Sequence, residues 1–201
     1  MAVVLMGVCG SGKSTVGRHL AKTADWEFID ADDHHPETNK QKMAKGIPLT
    51  DEDRHGWLLT LHHILKSWRI NHQGGVLACS ALKRSYREIL CTGQMEAVRQ
   101  KCSVRHDSSF SPEMPTKKRA FMDSITFVHL KGDREVISSR MSGRDSHFMP
   151  VALLDSQFET LEEPAPEEGI RILTEDIGQP VDVIVTHILD FISAQVTCKQ
   201  L

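Results

Sequence analysis

The stretch GVCGSGKST, residues 7–15, separates Gly7 from Gly12, Lys13 and Ser14 by four free positions. That spacing has a specific physical use. The first N–H groups of a helix have no partner inside it. A glycine-rich loop leading into the helix turns these groups inward around an anion, and the helix dipole adds a favourable field. Gly7, Gly10 and Gly12 permit the backbone angles and the close approach. Val8, Cys9 and Ser11 fill free positions, where main-chain N–H does the binding, and Thr15 completes the stretch. Lys13 is placed to reach the β- and γ-phosphates of a nucleotide and Ser14 to ligate Mg²⁺. By accident the pattern arises in on the order of one chain in a hundred. Here the apolar run at 2–6 precedes it and a helical segment, 13–24, follows, which is the strand–loop–helix setting the loop requires.

Outward from this loop the chain alternates strand-like and helix-like segments, the pattern of an α/β domain with a doubly wound parallel sheet of about five strands in three layers, α/β/α. Strands are expected at 2–6, 26–30, 76–80, 125–130 and 170–173, and helices at 13–24, 50–69, 83–90, 133–141 and from 181 to at least 192. Thr50 and Asp53 read as a capping box, and Trp57, Leu58, Leu61, Ile64, Leu65 and Trp68 recur at helical spacing, so both tryptophans read as core. The whole chain, 1–201, reads as one domain, with a polar surface insertion near 92–123 and a lid near 140–150.

A formal charge of −3 excludes general attraction to nucleic acid or anionic membrane. No apolar run is long enough to span a bilayer, and MAVVLMG is too short for a secretory leader. Five scattered cysteines without a CxxC pair read as reduced thiols of a cytoplasmic protein. None of the eleven histidines falls at a zinc-ligand spacing.

The second carboxylate narrows the chemistry. No strand after the third ends directly in acid as a Walker-B segment would, and no Asn-Lys-x-Asp run is present to recognise guanine. Acid stands instead at the end of the second strand, in DADD: Asp30, Asp32 and Asp33. On an extended strand Asp30 and Asp32 share one face, and ligands of open α/β sheets bind at the carboxyl ends of strands. One carboxylate can help hold hydrated Mg²⁺ and the other can take the proton of an attacking hydroxyl. Arg140 and Arg144, beside Gly143, read as the arginines of a mobile lid that neutralises charge on the moving phosphoryl group.

Together these residues resemble the gluconokinases, phosphate-loop sugar-acid kinases related in fold to shikimate and nucleoside-monophosphate kinases. The resemblance runs through MGVCGSGKST, DADDHHPETNKQKM, GIPLTDEDRHGWL, LACSALKRSYREIL, VHLKGDREVISSRM, HFMP and QFETLEEP, nearly the whole chain. It implies ATP and Mg²⁺, D-gluconate as acceptor, 6-phospho-D-gluconate as product feeding the pentose phosphate pathway, and often a homodimer. It implies that Asp32 orients and deprotonates the 6-hydroxyl, with Asp30 near the metal, and that Arg54 grips the acid's carboxylate. A planar guanidinium suits a carboxylate bidentately. His35 and Lys83 resemble further contacts to substrate hydroxyls or phosphoryl oxygens, Arg140 and Arg144 lid residues on the ATP side, and Gln179 of DIGQP a contact near adenine. Cys9 stands where the family usually has serine and Gly56 where it usually has proline; the 92–123 stretch has no counterpart in the shorter members. Two other readings compete: a kinase for another small hydroxy acid such as shikimate, and a nucleotide-binding module without catalysis.

Overall fold

A computed structural model of the chain describes residues 1–94, 116–142 and 151–197. Five strands, β1 (Ala2–Met6), β2 (Glu27–Asp30), β3 (Gly75–Ala78), β4 (Ile125–Lys131) and β5 (Arg171–Asp176), form one parallel sheet in the order β2-β3-β1-β4-β5. β1 lies at the centre, with Val4 opposite Leu77 on one side and Phe127 on the other. All five of its residues are buried, as a strand covered on both faces demands.

The described helices are α1 (Lys13–Ala24), α2 (Glu37–Ala44), α3 (Asp51–Ile70), α4 (Arg84–Thr92), α5 (Thr116–Met122), α6 (Arg134–Ser142), α7 (Val151–Thr160) and α8 (Val181–Thr197). Strand alternation sorts the core into two layers. Val3 and Leu5 pack with Val16 and Leu20 of α1 and Ile184 and Ile188 of α8. Val4 and Met6 face Trp57, Leu61, Leu65 and Trp68 of α3 and Ile89 and Leu90 of α4. The expected three-layer, doubly wound architecture is therefore present. Leaving β1, the chain builds β2 and β3 on one side and later β4 and β5 on the other, so a crevice opens at the carboxyl end of β1. The phosphate loop sits there.

The α3 capping box forms in both directions: the Asp53 N–H donates to Thr50 Oγ1 at 3.2 Å and the Thr50 N–H to Asp53 Oδ2 at 2.9 Å. β3 starts one residue earlier than expected because Trp68 lies flat on Gly75, where a Cβ would sit 2.3 Å from the ring. α2 and α7 were not expected. α2 buries only Asn39, so it has no apolar stripe to read. The polar insertion is helical at its described edges: α4 runs through Thr92 and α5 occupies 116–122, with Met122 in the core; 95–115 lie outside the described residues. Among the described residues no helix is long and apolar enough to cross a membrane.

Candidate active site

The loop at the end of β1 adopts the conformation its glycines were placed to allow. Gly7, Gly10 and Gly12 have φ of 138°, 80° and 93°, in the left-handed region where a Cβ is costly. At Gly10 space adds a second reason, since a Cβ would approach Met141 Cγ of α6 to 2.8 Å. Val8 and Ser11 are buried in the loop. No side chain caps α1 and no acid stands in its first turn. The opening N–H groups at Lys13, Ser14 and Thr15 thus begin a helix whose positive end is unopposed.

Lys13 folds back over the loop and donates to the Gly7 and Val8 carbonyls at 3.0 and 2.9 Å. Burial lowers its pKa, and nearby Cys9, Asp32, Cys79 and Asp30 partly oppose that shift. Both aspartates are therefore close enough to act on this ammonium. Ser14 Oγ donates to Asp30 Oδ2 at 2.7 Å. The hydroxyl and carboxylate form a pair of hard oxygen ligands, the donor type magnesium takes.

The expected shared strand face of Asp30 and Asp32 does not form. β2 ends at Asp30, and residues Ala31–His34 make a 3₁₀ turn. The cause is local: the Asp30 carboxylate accepts the Asp32 N–H at 3.3 Å and starts the turn as its cap. Asp30 thus uses one oxygen for the turn and the other for Ser14. Asp32 reaches the same carboxyl edge as an exposed member of the turn, not as a strand neighbour.

A second wall carries His35, Arg54 and Lys83. His35 stacks on Trp57 with ring centroids 4.1 Å apart, and Trp57 Nε1 donates to the Ala31 carbonyl at 2.8 Å, so the tryptophan is core and also the floor beneath His35. Arg54, in the first turn of α3, donates to the Leu49 carbonyl and stands over the Tyr86 ring at 5.9 Å. Lys83 lies 5.5 Å from that ring and donates to both oxygens of Asp51 at 2.8 Å. Tyr86 also donates its hydroxyl to Asp51. Two cations therefore flank one aromatic face, while Asp51 holds one of them in place. The Lys83 and Tyr86 hydrogen bonds keep the Asp51 carboxyl below its usual pKa. Burial, then the Asp51 hydrogen bond, pushes the Tyr86 phenol up. Sequence reading missed Asp51 and Tyr86. Tyr86 follows Lys83 by three residues at a helix start, which was a usable signal; Asp51 is distant in sequence from both and gave none.

Burial, with Arg54 and Lys40 adding to it, lowers the His35 pKa from 6.5 to about 4. The native imidazole is therefore neutral where an unfolded one begins to protonate. Its contribution to stability is complete above about pH 6.5 and is lost as pH falls towards 4. Urea unfolding should show His35→Asn flattening an acid loss on the order of 1–3 kcal/mol between pH 7 and 4.5. The same slope in both proteins would remove His35 as its source.

On the opposite side Arg140 of α6 donates to the Ile177 carbonyl at 2.7 Å, and the Gln179 N–H donates to the Asp176 carbonyl at 3.1 Å. The expected lid arginine and the DIGQP loop thus meet directly. Arg144, HFMP and the rest of the expected lid at 143–150 lie outside the described residues. Gln157 of α7, not singled out from sequence, accepts the Cys9 N–H at 2.6 Å. Cys9 is half-buried, whereas Cys79 and Cys91 are buried and their thiols pushed up to about 12. Iodoacetamide near pH 7.5 should label Cys9 ahead of those two, and ATP should slow that labelling. Equal rates with and without ATP would place the nucleotide elsewhere.

The described site thus joins an anion cradle, a hard-oxygen pair, an acid and a cation-lined acceptor wall at one sheet edge. That arrangement suits phosphoryl transfer from a nucleotide to a hydroxyl. A shikimate kinase family model matches residues 9–99. The chain is 47% identical over 189 residues to a probable gluconokinase of Xenopus tropicalis, covering 94% of this chain and 91% of that one. It is 35% identical to the thermoresistant gluconokinase of Escherichia coli K12, covering 94% of this chain and 91% of that one. It superposes on the solved structure of a gluconokinase from Sinorhizobium meliloti 1021 with a TM-score of 0.68 at 38% identity, covering 92% of this chain and 87% of that one.

Proposed function

The chain belongs to the gluconokinase family of ATP-dependent phosphate-loop kinases, and on that premise we propose that it passes the γ-phosphoryl group of ATP to the 6-hydroxyl of D-gluconate. ADP and 6-phospho-D-gluconate are the products. The observation that carries this reading is the facing of two walls: Lys13, Ser14 and Asp30 on the donor side, and Arg54 with Lys83 about the Tyr86 ring on the acceptor side.

In this reading the main-chain N–H groups of residues 7–15 hold the ATP phosphates, and Lys13 turns from the loop carbonyls to the β- and γ-phosphates. Ser14 and Asp30 would hold Mg²⁺, which when bound screens charge between the phosphates. A divalent ion of this kind needs only one or two protein oxygens beside the phosphates, which the pair supplies. Arg54 takes the gluconate carboxylate in a planar fork. Lys83 and neutral His35 meet its hydroxyls, and the acid's far end lies towards Asp32. Asp32 orients the 6-hydroxyl and accepts its proton as the oxygen attacks. Arg140 and Arg144 close over the phosphates, and Gln179 borders the adenine. The reading extends to a cytoplasmic enzyme that feeds the pentose phosphate pathway, assembled as a homodimer.

The test is ADP release by purified protein with a panel of acids: gluconate, shikimate and other sugar acids. Turnover with gluconate, and a phosphorus resonance of a primary phosphate ester, support the reading. Turnover with shikimate alone moves the protein to another acceptor, and ATP binding without transfer to any acid leaves a binding module.

A further inference from the structure

Residues 157–168 take no part in the chemistry described above, yet they bond to both walls of the site. At one end Gln157 accepts the Cys9 N–H of the phosphate loop at 2.6 Å. Further along, the Glu162 N–H donates to the Leu82 carbonyl at 2.9 Å, while its carboxylate accepts the Arg84 N–H at 2.6 Å. At the far end both carboxylate oxygens of Glu168 grip Arg87, at 2.7 and 2.5 Å. The two side chains are only 1% and 6% exposed. Arg87 turns Nη1 the other way and donates to the Ala81 and Leu82 carbonyls at 3.0 and 3.2 Å.

These bonds meet on the short loop between β3 and α4 that carries Lys83. Ala81 in that loop has φ 44°, the left-handed region that a residue with a Cβ rarely adopts. Such a conformation persists where its surroundings over-determine it. A buried ion pair is a weak device for stability alone, since apolar residues of similar volume do as well. This pair has a further use, because its arginine holds two main-chain carbonyls beside the acceptor wall. The Gly7 N–H, donating to the Ser80 carbonyl at 3.2 Å, links the same loop to the phosphate cradle.

We infer that 157–168 form a strap that registers the Lys83 loop against the phosphate loop, with Arg87 and Glu168 as positioning residues for the acceptor acid. The inference rests on the proposed reading in which Lys83 and Arg54 receive that acid. With the carbonyls before Lys83 fixed, its ammonium reaches Asp51 and faces Arg54 across Tyr86. With them loosened, Lys83 withdraws and acceptor binding weakens, while the nucleotide keeps its own loop.

The test uses the full chain carrying Arg87→Met together with Glu168→Leu, which removes both charges and leaves neither buried alone. We expect the gluconate KM to rise at least about tenfold with the ATP KM within about twofold, in a protein of native circular dichroism. Amide exchange at residues 79–86 should be faster. A pair that serves stability alone would lower the melting temperature and leave both KM values unchanged, and that result overturns the inference. Should the double variant not fold, Glu162→Ala at an exposed position decides: a rise of about threefold in the gluconate KM alone supports the strap, and no rise overturns it. If the unmodified chain turns over no gluconate, the functional reading fails by itself. Amide exchange at 79–86 in either folded variant then still reads the strap, which unaltered exchange refutes.

Discussion

Asp32→Asn should lower kcat for gluconate phosphorylation by about 10²- to 10⁴-fold, the span that removal of a positioned general base produces. The amide has the size of the carboxylate and sits in an exposed turn, so the fold and the phosphate loop should stand. The Asp30–Ser14 bond is separate and remains. The ATP KM is therefore expected to stay within about twofold, and steady-state kinetics with ATP and gluconate varied independently separate the two effects. The variant should also lose the acid limb of the kcat–pH profile, because the group that must be ionised there is gone. One secondary effect has a definite sign. The Asp32 carboxylate helps hold the buried Lys13 protonated, so its loss lowers the lysine pKa further. Turnover equal to that of the unaltered protein would refute Asp32 as the base.

Arg54→Ala should raise the gluconate KM by about 100-fold, within the range measured when one partner of a hydrogen-bonded charge pair is truncated. A cation in the first turn of a helix opposes the dipole. Here Arg54 offsets that by donating to the Leu49 carbonyl and by lying over Tyr86, contacts that hold its guanidinium at the acceptor wall. Arg54→Lys should recover only part of the loss, since an ammonium lacks the planar fork. An independent sign comes from His35, whose pKa Arg54 helps to lower. In Arg54→Ala the imidazole titration, followed by NMR, should move up towards 6.5. An unchanged gluconate KM would remove Arg54 from the substrate site.

Much of the fold was legible because its signals are local. β1 is a continuous apolar run, α1 spans the 13–24 read from sequence, and the Thr50–Asp53 box marks the start of α3. Segments without such signals were lost. α2 has one buried residue, and α5 lies in a polar stretch whose apolar end only tertiary contact buries. The strand after Trp26 was legible but not its end, because a single side-chain bond from Asp30 to the Asp32 N–H turned an extended pair into a 3₁₀ turn.

The candidate site divides along the same line. Spacing along the chain was enough to identify the phosphate cradle, since backbone N–H groups at a strand–helix junction depend on neighbours in sequence. It also marked Asp30, Asp32, Arg54 and Lys83 as chemistry without a place. Their places came from the sheet order, which brings the ends of β1, β2 and β3 to one edge and sets Arg54 and Lys83 about Tyr86. Asp51, Gln157 and the Arg87–Glu168 pair act through partners 32, 148 and 81 residues away. No local pattern encodes a bond of that separation; folding creates it when the sheet closes its two walls around one crevice.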